Sequence, residues 1–196
     1  NKEFEEQIDY DKSKIKKITY YTNNLHWEWK INIFGKKFVE ENENKIILNI
    51  DGKKIKLCSQ YILQNYGKNV IEIIEKEKIQ SLSYMFTDCY LTNISDLQDW
   101  DLSNPVVKKI DQTIKGGLGE SKLFFYSYTT TNFFPVLDTS HMFQGCSSIT
   151  SIDALKNWNM SKVTNTSYMF SGCSSIILID AIKNWDMSKV TNTSYM

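Results

Sequence analysis

A chain of 196 residues, 41% hydrophobic and 23% charged, carries enough apolar material for one large domain or two small ones, and its composition excludes wholesale disorder. Its 23 basic residues, all lysine, balance 23 acidic ones, so no net field holds nucleic acid or an anionic membrane, and no guanidinium fork exists to read phosphate or guanine. Two histidines leave little for imidazole catalysis, and no apolar run approaches the ~20 residues that span a bilayer.

The opening segment, with Glu3, Glu5, Glu6, Asp9 and Asp11, predicts a solvated arm or short helix. Residues 30–34 alternate as a strand that stops at Gly35. Strands at 45–50 and 53–57 flank Asp51-Gly52, the strongest short hairpin signal. Ser59 is placed to cap a short helix running to Tyr66 and closed by Gly67. Residues 70–74 resume a strand. Charge density falls beyond Lys78, which marks the end of an amino-terminal unit, residues 1–78. Within it, residues 14–78 are expected to cap the array that follows; an independent domain is the alternative.

Residues 79–196 repeat. Val163-Thr-Asn-Thr-Ser-Tyr-Met-Phe170 returns at Val190 and, more loosely, at Val136. Gly145-Cys-Ser-Ser-Ile149 returns at Gly172, and Lys156-Asn-Trp158 at Lys183, each pair 27 residues apart. An earlier copy opens at Ile79 and keeps Tyr84, Met85, Phe86, Cys89 and Trp100. Residues 106–135 hold little of the pattern and read as a degenerate copy. The expected count is four units of 27–30 residues and the opening of a fifth, in a chain that stops mid-unit and so reads as a fragment. Apolar residues step by three, as in Ile149, Ile152, Leu155 and Trp158. That fits neither an alternating strand nor an amphipathic helix, but a coil that turns corners and sends one side of each turn inward. The expected fold is a β-rich repeat solenoid with a small amino-terminal β-hairpin/α+β cap, since one unit cannot close such a core and stacking supplies the missing face.

Cys89, Cys146 and Cys173 share one repeat position without metal-ligand spacing, and read as a ladder of buried thiols. Trp100, Trp158 and Trp185, with Met142, Met169 and Met196, read as core. His141 stands where the other units have Tyr84, Tyr168 and Tyr195, a tolerated substitution; His26, beside Trp27 and Trp29, reads as packing. No catalytic residue, cofactor site or metal site is indicated. The candidate partner-binding residues are of two kinds. Lys156, Asn157, Asn159, Lys162 and Asn165 recur as Lys183, Asn184, Asp186, Lys189 and Asn192 and should form polar columns. Such columns either serve an extended partner or satisfy local turns. Phe124, Phe125, Tyr126, Tyr128, Phe133 and Phe134 form either a loop that anchors a partner or a divergent turn refilling the core.

The phrases Ser-Tyr-Met-Phe, Gly-Cys-Ser-Ser-Ile and Asn-Trp-Asp-Met-Ser-Lys-Val-Thr-Asn give residues 79–196 a resemblance to the BspA-like leucine-rich-repeat surface proteins, the group also called the DUF285 repeat. The resemblance implies a surface-exposed solenoid, on a cell surface or secreted, used for adhesion or protein binding and without enzymatic activity. The expected partner is a protein or glycan. A structural subunit that packs against copies of itself is the alternative, and an enzyme is the weakest reading.

Overall fold

A computed structural model describes residues 15–22, 30–65, 67–89, 91–100, 102 and 135–196. The amino-terminal elements are β1 (Lys16–Thr22), β2 (Lys30–Asn32), α1 (Lys36–Asn42), β3 (Ile46–Ile50), β4 (Lys53–Lys56), β5 (Gln60–Ile62) and β6 (Gly67–Glu75). Four of them form an antiparallel sheet in the order β1-β6-β3-β4, and β2 pairs with β5 in a separate two-stranded sheet. The β3–β4 hairpin turns on Asp51 (φ 53°) and Gly52 (φ 79°), the consecutive left-handed pair that its sequence favours.

Alternation decides which face of this sheet is inward. Ile46, Leu48 and Ile50 on β3 and Ile71 and Ile73 on β6 are buried, together with Ile18 and Tyr20 of β1. Lys17 of β1 reaches Glu72 of β6 on the other side, and Lys16 pairs with Glu75 at the end of the inward face. The helix expected from Ser59 to Tyr66 is not formed. Gln60–Ile62 instead pairs with Lys30–Asn32, so a partner strand overrides the local capping signal. The helix of this region lies earlier, at Lys36–Asn42, with Phe38 buried.

From Ile79 onward there are no extended strands among the described residues, only single parallel bridges and short 3₁₀ turns at Ser95–Asp99, Asp153–Leu155 and Asp180–Ile182. The bridges run Ser81 to Asp138, Asp138 to Asn165 and Asn165 to Asn192. Each unit is joined to the next through equivalent backbone groups. Leu82, Tyr84, Phe86 and Asp88 donate their N–H to the carbonyls of Asp138, Ser140, Met142 and Gln144, and the unit at Val136 treats the unit at Val163 in the same way. The unit beginning at Ile79 therefore rests directly on the unit beginning at Val136. Residues 106–134, read from the sequence as most of a degenerate copy, lie outside the described residues.

Side chains complete the stacking. Trp158 donates its indole N–H to Leu97 O at 2.8 Å, and Trp185 donates to Leu155 O at 2.9 Å. Trp100, in the first unit, donates to Lys17 O of β1 at 3.3 Å. The thiols follow the same rule: Cys146 Sγ donates to Phe86 O at 2.9 Å and Cys173 Sγ to Phe143 O at 3.0 Å. Phe86 O, Phe143 O, Leu97 O and Leu155 O each also accept a turn N–H from their own unit, so these side chains fill the second acceptor position of each carbonyl, a contribution of about 0.5–1.5 kcal/mol apiece. The Phe rings stack in turn, Phe34–Phe86 at 5.8 Å, Phe86–Phe143 at 5.7 Å and Phe143–Phe170 at 5.6 Å between centroids.

The amino-terminal unit thus supplies the members that a preceding turn would have given. Phe34 continues the Phe column, β1 accepts from Trp100, and Gly35 N–H donates to Met85 O at 2.9 Å. The approach at Gly35 is close enough that a Cβ there would lie 1.9 Å from Tyr84 O.

Candidate functional site

Two turns in each unit fix what faces outward. The first closes through Met85 N–H to Leu82 O, and its equivalents close at Met142, Met169 and Met196. Its third residue is left-handed in each described unit: Tyr84 (φ 61°), His141 (φ 56°), Tyr168 (φ 57°) and Tyr195 (φ 56°). Glycine is the usual occupant of such a position, because a side chain there costs roughly 1–2 kcal/mol. The second turn closes through Cys89 N–H to Phe86 O and has Asp88, Gly145 and Gly172 as its left-handed members.

The backbone cost at the first turn is offset by what it does with the ring. Tyr84 stacks on His141 at 4.4 Å, His141 on Tyr168 at 4.7 Å and Tyr168 on Tyr195 at 4.8 Å, with interplanar angles of 8°, 7° and 22°. A ring with neighbours on both faces gains about 1–3 kcal/mol from two aromatic contacts, comparable to the strain it carries. The column is half-buried at Tyr84, His141 and Tyr168 and exposed at Tyr195. His141 is an integral ring of this column, and its Nδ1 lies 2.7 Å from Gln144 Oε1. Lys37 Nζ, from α1, stands 4.0 Å over the other face of Tyr84. Nothing in the sequence pointed to this surface beyond the recurrence of the tyrosine itself.

The polar columns are present on the outside. Lys156, Asn157, Lys183 and Asn184 are all exposed, just beyond the 3₁₀ turns at Asp153–Leu155 and Asp180–Ile182. Asn159, Asn165, Asp186 and Asn192 instead accept, through Oδ1, the backbone N–H two residues on, so these four shape turns. That hydrogen bonding to Ser188 also draws the Asp186 carboxyl below its ordinary range. The six aromatics Phe124, Phe125, Tyr126, Tyr128, Phe133 and Phe134, and likewise His26, fall outside the described residues.

One pair breaks the outward pattern. Ile177 and Leu178 occupy the positions of Thr150 and Ser151, which stay solvent-facing with a further unit stacked beyond them. Ser151 Oγ accepts from Asp153 N–H, a turn contact that Leu178 cannot make. These two apolar residues are 84% and 68% exposed, and Ile179 beside them 65%.

The thiol column is closed to solvent chemistry. Cys89, Cys146 and Cys173 are buried and free. Burial pushes the Cys146 thiol up to about 12 and the Cys173 thiol up to about 11. Burial also raises Cys89, with the neighbouring Cys146 adding to the shift. Among the described residues no group of three or more His, Cys, Asp or Glu could hold a metal ion, and no helix is long and apolar enough to cross a membrane.

No curated protein and no solved structure matches the chain. Residues 116–196, which contain the units opening at Val136, Val163 and Val190, match the family described as Mycoplasma protein of unknown function, DUF285.

Proposed function

We propose that the chain is a non-enzymatic interaction module, a leucine-rich-repeat-like solenoid that binds a protein or glycan along its outward columns and works at a cell surface or after secretion. The observation that carries this reading is the register of the exterior. Rings at 4.4–4.8 Å spacing and exposed lysine and asparagine pairs repeat along one stack, which suits a partner that is itself extended. The described surface is built of strips, and a strip recognises length.

The test is a binding array of extracellular proteins and glycans probed with the whole chain, followed by the combined K156E, N157D, K183E and N184D variant. Binding to at least one class, weakened tenfold or more in a variant with an unchanged unfolding midpoint, is the expected result. Binding indifferent to these four positions would overturn the columns as the contact surface.

The exposed Ile177 and Leu178, at positions that stay solvent-facing in the preceding unit, favour a second reading, a structural subunit that packs against copies of itself. Sedimentation separates the two. A concentration-dependent dimer abolished by I177T/L178S supports assembly, and a monomer at high concentration removes it.

A further inference from the structure

A cleft of about 510 Å³ lies between the amino-terminal unit and the first repeat turn. Its size falls within the roughly 300–1,000 Å³ range of small-molecule sites. Three segments meet there: β2 and the start of α1, β5, and the two left-handed turns of the first repeat. Gly35 lets them meet this closely, since its N–H bonds Met85 O and no side chain stands between.

The polar groups of the cleft are pre-arranged. Gln60 Nε2 donates to Asn32 Oδ1 at 3.0 Å, and Asn32 Nδ2 donates to Asp88 O at 3.2 Å. The relay fixes both amides and leaves the Gln60 Oε1 acceptor free of that bond. The Asp88 carboxylate rests against the Cα of Gly145, where any Cβ would displace it. Lys37 is held over the Tyr84 ring, so its ammonium stays at the wall of the cleft, and Lys36 lines the same wall.

This donor and acceptor set defines a ligand. Fixed amides and a carboxylate suit several hydroxyl groups, because each hydroxyl both donates and accepts. Two ammonium groups against one carboxylate leave a net positive wall that suits one anionic group. An apolar small molecule would strip water from the Asp88 carboxylate and Gln60 Oε1 without replacing its hydrogen bonds. We propose that this cleft is a binding site for the acidic sugar of a glycan, its hydroxyls on Asp88 and the Asn32–Gln60 relay and its carboxylate between Lys36 and Lys37. The proposal rests on the interaction-module reading and narrows its partner to an anionic glycan.

Calorimetric titration of the whole chain with 3′-sialyllactose, a glucuronate-terminated tetrasaccharide and neutral lactose tests it. At least one acidic sugar is expected to bind tenfold or more tightly than lactose. K36Q/K37Q should lose that preference, and D88N should weaken binding threefold or more, with both unfolding midpoints within the error of the parent. Equal binding of lactose, an unaffected K36Q/K37Q variant, or a short polyglutamate peptide binding through the same lysines while the sugars do not would each overturn the site. Glycan binding that responds to K156E/K183E but not to K36Q/K37Q overturns the cleft and leaves the column reading standing, whereas failure of every array and titration overturns both.

Discussion

The Phe34 ring lies 5.8 Å from Phe86 and inclined 26° to it, at nearly the separation found between Phe86 and Phe143. A residue of the amino-terminal unit therefore occupies the next place in a column otherwise built from repeats. The consequence is thermodynamic, because this contact couples the two parts of the chain. Phe34→Ala should cost about 3–5 kcal/mol, the usual range for emptying a buried aromatic position. Urea unfolding followed by both tryptophan fluorescence and far-UV circular dichroism is expected to give one coincident transition, shifted as a whole in the variant. Two separated transitions, with only the first moved, would show that the units fold independently.

The indole column gives a second prediction, in which packing and hydrogen bonding are separated. Trp158 stacks on Trp185 at 6.4 Å and donates its N–H to Leu97 O. Trp158→Ala removes both and should cost about 3–5 kcal/mol. Trp158→Phe keeps much of the packing and removes one of the two hydrogen bonds to Leu97 O, the other coming from Trp100 N–H, which costs about 0.5–1.5 kcal/mol. Denaturant midpoints should therefore fall in the order parent, Phe, Ala. A Phe variant as stable as the parent would mean that the Trp100 N–H alone satisfies the Leu97 carbonyl.

What the sequence disclosed and what it concealed divide along physical lines. The Asp51-Gly52 hairpin was legible because a tight turn needs particular residues. The inward Ile, Leu and Trp positions were legible because a period of 27 residues brings like to like, and so was the outward exposure of Lys156 and Lys183. The strand at Gln60–Ile62 was not, since its conformation is set by Lys30–Asn32, about thirty residues away in sequence. Helix α1 has only Phe38 and Val39 to suggest an apolar stripe, and no side chain caps it. Direct contact between the units at Ile79 and Val136 was not legible, since the Ser81–Asp138 bridge joins residues far apart in the chain. The ring column was hidden for another reason. Tyrosine is a poor marker of left-handed backbone, and only the stacked partners explain its presence at Tyr84, Tyr168 and Tyr195.

That last feature makes a prediction that runs against the usual order of substitutions. Glycine is ordinarily less stabilising than alanine by roughly 0.5–1 kcal/mol, through its freedom in the unfolded chain. At Tyr168, with φ 57°, alanine would lose both ring contacts and keep the left-handed strain, while glycine would lose the contacts and relieve the strain. Tyr168→Gly should therefore be more stable than Tyr168→Ala by up to about 1 kcal/mol, and both less stable than the parent. His141→Tyr should be close to neutral, since it restores the ring found in the other units. Thermal midpoints measured side by side decide it, and an alanine variant more stable than glycine would mean that the turn relaxes once the ring is gone.

The thiol column carries a pH dependence whose sign follows from burial. Burial holds the proton on Cys146 up to about 12. In the unfolded chain a thiol loses its proton near pH 8.5. Between those values the unfolded state alone ionises, so it binds fewer protons than the folded state, and stability must fall as pH rises. The contribution is complete below about pH 8 and declines by at most about 1.4 kcal/mol per pH unit for one such thiol. Tyr20, also raised well above its ordinary value by burial, adds to the decline at higher pH. Cys146→Ala isolates the thiol. The variant should be less stable near pH 7, because Phe86 O loses one of its two donors and a buried sulfur is removed, but its stability should fall less steeply between pH 9 and 11 than that of the parent. Urea unfolding at half-unit pH steps under reducing conditions supplies both slopes. Parallel slopes would mean that Cys146 ionises as readily in the folded chain as in the unfolded one, which is incompatible with a buried thiol bonded to Phe86 O.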